Sequence, residues 1–137
     1  MHSITAFDAL SSCIDNLTVL RVQLTDFQNE LTRLGLTDER PARYGGRYLY
    51  MVGPLIKGTR ARRYVGAKPE RQREALAPFV RTLKYQAYGR ALEEVNRSLE
   101  ELNEATLALV ARHQNAATMV KQTLEKDLRD ADSRNNI

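Results

Sequence analysis

Ten arginines and lysines, four tyrosines and a single carboxylate, Glu70, lie between Arg40 and Arg73 in the stretch RPARYGGRYLYMVGPLIKGTRARRYVGAKPERQR. Arginine presents a planar fork to a phosphate or a guanine edge. Tyrosine offers a hydroxyl for phosphate oxygens and a ring on which a base can stack. The rest of the chain does not share this excess. Residues 1–39 hold two basic and six acidic side chains, and residues 91–137 hold six and nine. The net charge of +4 is therefore a basic centre between two acidic arms. Charge segregated in this way and interleaved with aromatics is the footprint of a surface that meets a polyanion.

The elements that must position these groups change period along the chain. In Arg47-Tyr48-Leu49-Tyr50-Met51-Val52, Tyr48, Tyr50 and Val52 share one face, and Arg47, Leu49 and Met51 the other. Thr59 to Val65 alternates again, with Arg60, Arg62 and Tyr64 set against Thr59, Ala61, Arg63 and Val65. Gly45-Gly46 and Gly66 bound the pattern, and Gly53-Pro54 and Lys57-Gly58 bracket a turn. The spacing predicts a two-stranded β-hairpin over about 47–65. A lone hairpin is marginal in water, so one face must pack on helices. Leu49, Met51, Ala61 and Val65 are expected inward, and Tyr48, Tyr50, Arg60 and Arg62 outward.

Such a ribbon fits the major groove of duplex DNA. Arg60, Arg62 and Arg63 are expected to reach base edges or phosphates, with Tyr48 and Tyr50 donating to phosphate or stacking. Arg43, Arg47, Lys57, Lys68, Arg71 and Arg73 would follow the backbone on either side, as would Arg40. DNA, RNA and an acidic protein all match this charge. Tyr64 is expected as a cross-strand packing residue rather than a contact.

The arms are helical. Leu10, Cys13, Leu17, Leu20, Leu24, Phe27, Leu31 and Leu34 recur at spacings of three and four, a coiled-coil seam that predicts one helix over 4–34. Ser3 is the expected N-cap and Gly35 the expected stop. Leu92, Val95, Leu99, Leu102, Thr106, Leu109, His113, Ala116 and Val120, extended by Leu124 and Leu128, predict a second helix over 90–130. Between hairpin and second arm, Pro69 and Glu70 suit a helix start, while Pro78 interrupts a shorter, kinked helix over 69–88. The expected fold is mainly α: one domain over 1–137 whose long helices flank a basic hairpin. Two helices alone bury little. Either the segment 70–90 completes the core, or two chains pair through Leu10, Leu17, Leu20, Leu24, Phe27, Leu31 and Leu34 as a homodimer.

Other chemistry finds no footing. There is no Gly-rich phosphate loop, no nucleophile elbow and no Cys/His metal spacing, so neither an enzyme nor a cofactor is expected. Cys13 and His113 fall on the seams, as a small buried hydrophobe and a hydrogen-bonded register residue. One cysteine cannot form an internal disulfide, and no apolar run approaches the ~20 residues of a membrane span. A cytoplasmic protein away from membranes is the expectation.

Arg47-Tyr48-Leu49-Tyr50, a Gly-containing turn, then Arg62-Arg63-Tyr64-Val65-Gly66 resembles a hairpin found in small uncharacterised proteins of bacteria, plasmids and phages. It is also similar to the sheet of arm-type DNA-binding domains of phage integrases, over about residues 44–68. The chain departs from that type in its long heptad helices and in showing no third strand. The resemblance implies a mobile-element setting and DNA binding. The function expected is that of a dimeric duplex-DNA binder. The alternative is an interaction protein of the anti-defence type, blocking a host complex through its basic head.

Overall fold

The computed structural model describes residues 5–135. In chain order it runs α1 (Ala6–Leu34), β1 (Arg40–Tyr44), β2 (Tyr48–Ile56), β3 (Thr59–Gly66) and α2 (Pro69–Asn135). The protein is mainly helical, and its two helices flank a three-stranded antiparallel sheet of order β1-β2-β3.

The seam over the first arm does form one helix, and local chemistry fixes both of its ends. Thr5 Oγ1 accepts the Asp8 backbone N–H at 3.1 Å, and Asp8 Oδ2 accepts that of Thr5 at 3.4 Å. This reciprocal box satisfies two donors that the first helical turn leaves open. Ser3, the expected cap, lies outside the described residues. At the other end Gly35 caps the helix, its N–H donating back to the Leu31 carbonyl at 3.0 Å.

The expected hairpin is a three-stranded sheet. Residues 40–44 add an edge strand, with Arg40 opposite Val52 and Tyr44 opposite Tyr48. Gly45 and Gly46, expected as a boundary, are the connection between β1 and β2. Both have positive φ (62° and 71°), which a residue with a Cβ adopts only at a cost. The Arg47 N–H closes the turn onto the Tyr44 carbonyl at 3.4 Å. The second turn is Lys57-Gly58 alone, because β2 runs on through Gly53-Pro54 to Ile56. Pro54 is tolerated there because β1 pairs only as far as Val52, and the register between β2 and β3 shifts between Val52 and Leu55.

Leu49, Met51 and Val65 form the buried core, with Ala75, Leu76 and Phe79 of α2 packed against it. Three of the four residues expected inward are therefore inward. Ala61 is exposed. It lies past the register shift, on the part of β2–β3 that extends beyond β1.

One helix replaces the two expected over 69–88 and 90–130, and it passes through both Pro78 and Gly89. A proline inside a helix costs about 3 kcal/mol through a lost hydrogen bond and a clash with the preceding turn. Contacts on both flanks offset this. Leu76 and Phe79 pack on the sheet core. Just beyond, Thr82 Oγ1 accepts the Thr37 N–H at 2.9 Å, and Arg81 Nε donates to the Gly35 carbonyl at 2.7 Å. The helices then run antiparallel: the Phe27 and Tyr88 rings lie 5.3 Å apart, and Gln28 Nε2 donates to the Tyr85 carbonyl at 3.1 Å. Gly89 admits Gln28 here, since a Cβ would meet Nε2 at 3.1 Å.

By its contacts the chain divides into two compact units, Met1–Asn96 and Arg97–Ile137. In the first, Leu24 and Val95 join the sheet residues as buried apolar side chains. In the second, residues 97–135 are helical and the stripe that includes Leu109, Val120, Leu124 and Leu128 is exposed. Cys13 and His113, expected on covered seams, are exposed as well.

Candidate nucleic-acid interface

Strand alternation sorts the basic and aromatic residues onto two faces. Cross-strand partners share a face, so the register places Arg40, Val52 and Arg62 together, with Tyr50 and Tyr64 beside them and Tyr44 and Tyr48 at the end. This is the face opposite the Leu49–Met51–Val65 core. Its four tyrosines come from all three strands and line an open depression of about 290 Å³. Tyr44 meets Tyr50 edge to face with centroids 5.0 Å apart, and Tyr50 lies 5.1 Å from Tyr64 at an interplanar angle of 55°. Such tilted pairs hold the rings in place while leaving other ring faces open. Arg62 Nη1 donates to the Tyr44 hydroxyl at 3.0 Å, which fixes its guanidinium beside the aromatic cluster.

A second group gathers where the sheet meets α2. Arg47, Lys68, Arg71 and Tyr64 line a groove of about 450 Å³ at the start of the helix. The Arg47 guanidinium also sits 5.9 Å from the Tyr48 ring centroid, a cation–π contact that ties this group to the tyrosine face. Lys57 occupies the β2–β3 turn. Arg60 lies near it on β3, with Nη1 3.5 Å from the Gly53 carbonyl. Arg73 is exposed on α2 but lines neither the tyrosine depression nor this groove.

Two more of the sequence-predicted residues are placed elsewhere. Arg63 points to the helix side of the sheet, where Nη2 donates to Glu39 Oε1 at 3.0 Å. That hydrogen bond, aided by charge attraction, raises the guanidinium above its usual range, so Arg63 stays fully charged but already has an anionic partner. Arg43 shares that side and donates from Nη1 to Gln72 Oε1 at 3.0 Å. No carboxylate pairs with Arg40, Arg47, Lys57, Arg60, Arg62, Lys68, Arg71 or Arg73 among the described residues.

Gln72 and Tyr44 escaped the sequence reading. Gln72 Nε2 donates to the Gly66 carbonyl at 2.7 Å and to that of Arg47 at 2.9 Å, while its Oε1 holds Arg43. One side chain thus pins the β1–β2 turn, the end of β3 and the edge strand to α2. No sequence signal announces a glutamine in that role. Tyr44 was findable: Gly-Gly between two Arg/Tyr pairs is a hairpin turn, which implies a strand before it.

No protein-family model, curated protein or solved structure matches this chain.

Proposed function

We propose that the protein binds nucleic acid, specifically duplex DNA, through the outer face of its sheet. The observation that carries the reading is the grouping there of Arg40, Arg62 and four tyrosines, within a stretch that has no carboxylate between Arg40 and Glu70. A surface built from strands can enter the major groove, where arginine reads guanine and tyrosine hydroxyls reach phosphates. Arg47, Lys68 and Arg71 extend the positive field along one side, and Lys57 and Arg60 along the β2–β3 turn. The third strand also removes one of the two differences that set this chain apart from the arm-type sheets of phage integrases. The mobile-element setting which that resemblance implies is part of the proposal.

Self-association through α1 belongs to the same reading. Leu24 is covered within the chain, but Leu20, Phe27 and Leu34 remain about half exposed on the seam, while Leu10, Leu17 and Leu31 are partly covered. A second chain on this stripe would bring two sheets to one duplex and multiply affinity through effective concentration.

The test is a fluorescence-anisotropy titration of a labelled random duplex at several salt concentrations. Log affinity should fall linearly with log salt, by about 0.9 for each phosphate contact. Absence of binding at low salt, or binding that salt leaves unchanged, overturns the proposal.

A further inference from the structure

The strands β2 and β3 outrun the sheet. β1 pairs with β2 only as far as Val52, and from there to the turn at Lys57-Gly58 the other two strands continue alone. Four residues beyond Val52 give this arm a reach of about 13 Å at the rise of an extended strand. Its end is apolar. Leu55 and Ile56 are 60% and 64% exposed, next to an exposed Pro54. Leu55 lies opposite Arg60 and Ile56 opposite Thr59, so the two side chains leave the ribbon on opposite faces. The turn itself is Lys57-Gly58, and the strand residues that lead into it are two large aliphatic side chains in water.

Both ionisable residues on the arm, Lys57 and Arg60, are basic, and Arg62 stands at its base opposite Val52. Lys57 holds its place with φ at 50°, in the left-handed region that glycine or asparagine occupies more cheaply. The turn thus keeps a cation at the tip at a cost in backbone strain. An apolar point framed only by cations matches a target with an anionic rim and a flat apolar interior. Stacked base pairs between two phosphate backbones have that construction.

We infer that the β2–β3 arm is a wedge that inserts Leu55 or Ile56 between stacked bases and bends the duplex. Aliphatic side chains inserted at a base step from the minor groove unstack it and kink the helix. Lys57 and Arg60 would hold the flanking phosphates while the step opens. The tyrosine face contacts an undistorted part of the duplex, and the reach of the arm carries its tip past the intervening backbone. Pyrimidine–purine steps open most easily, so the wedge favours TA and CA/TG steps without reading their edges. This rests on the proposal that the sheet binds DNA, and adds to it that the protein is a bending protein.

The experiment uses the full chain and a duplex of about 30 base pairs with a central TA step. A donor and acceptor sit at the two ends, and 2-aminopurine replaces the adenine of the step. Saturating wild-type protein should raise energy transfer, as a bend of about 40° or more would, and raise 2-aminopurine fluorescence as the base unstacks. The double variant Leu55→Ser, Ile56→Ser should bind within about tenfold of wild type at low salt, because phosphate contacts dominate affinity there. It should produce neither signal. Both side chains are exposed, so circular dichroism of the variant should match wild type. Wild-type binding without either signal overturns the wedge and leaves the DNA-binding proposal standing, as does a double variant that bends like wild type. A wild-type protein that binds no duplex overturns both.

Discussion

Arg62 and Arg63 are neighbours with the same chemistry, yet they have opposite surroundings. Arg62 lies on the outer face, held beside the tyrosines by the Tyr44 hydroxyl and paired with no carboxylate among the described residues. Arg63 lies on the helix side and is held by Glu39. The pleat alone separates them, since successive strand residues point to opposite faces. Residue type therefore says little about role here, and face says nearly everything. On the inner face a side chain is judged by what it does for attachment of the sheet to α2. On the outer face it is judged by what it offers a ligand.

The largest effect expected from this division is on the inner face. Met51 is fully buried against Leu49, Val65 and the α2 residues. Met51→Ala should destabilise by about 2–5 kcal/mol, from lost transfer free energy and the cavity left behind. Urea denaturation checks this, and DNA binding should weaken in step with the unfolded fraction. A loss below 1 kcal/mol would mean that the sheet does not depend on α2.

Gln72→Ala comes next. It removes three hydrogen bonds that join α2 to both edge strands and the β1–β2 turn at one end of the sheet. The Arg47 carbonyl lies in an exposed turn and recovers water, whereas Gly66 is buried and its carbonyl is left without this partner, so the expected loss is about 1–3 kcal/mol. Amide hydrogen exchange should quicken in β1 and at the end of β3 before it does in α1. Uniform quickening across the molecule would assign Gln72 no special place.

Much of this division was legible in the residues. Period-2 alternation over 47–52 separates Leu49 and Met51 from Tyr48 and Tyr50, and the structure keeps that separation. The seam from Leu10 to Leu34 defines α1 because eight apolar positions hold one period. The edge strand was hidden because Arg40-Pro-Ala-Arg-Tyr has a proline and no β-branched residue. Pairing with β2 makes it a strand, not its own propensity. Pro78 misled in the other direction, since the contacts that keep α2 continuous come from residues 35–37 and from the sheet. Tertiary partners of that kind leave no periodic trace. The roles of Arg43 and Arg63 were lost for the same reason: Gln72 and Glu39 are far away in sequence.

Outer-face substitutions should change binding and leave stability alone. Arg62→Ala should weaken binding to every duplex by roughly tenfold and lower the salt slope by about 0.9, if its fork meets one phosphate. Should it instead discriminate among sequences by about 1–3 kcal/mol, Arg62 reads a base edge. Arg63→Ala should do neither. Equal effects from the two substitutions would erase the distinction between the faces.

The smallest effect separates two reasons why Arg63 differs from Arg62: the face it occupies, or the carboxylate that holds it. Glu39→Gln removes the charge and keeps the shape. The pair is largely exposed on the arginine side, so stability should change by about 0–1 kcal/mol. If the face decides, the released guanidinium still points toward the helix side and makes no new phosphate contact. Affinity then rises slightly at low salt, because one negative charge has left the neighbourhood. The gain fades near 0.1 M salt, where the screening length is about 10 Å, and the salt slope stays that of wild type. If the carboxylate decides, Arg63 swings out to the ligand and the slope steepens by about 0.9. We expect the first result: Arg63 sits opposite Met51 in the register, and releasing its partner does not change the side of the strand from which it leaves.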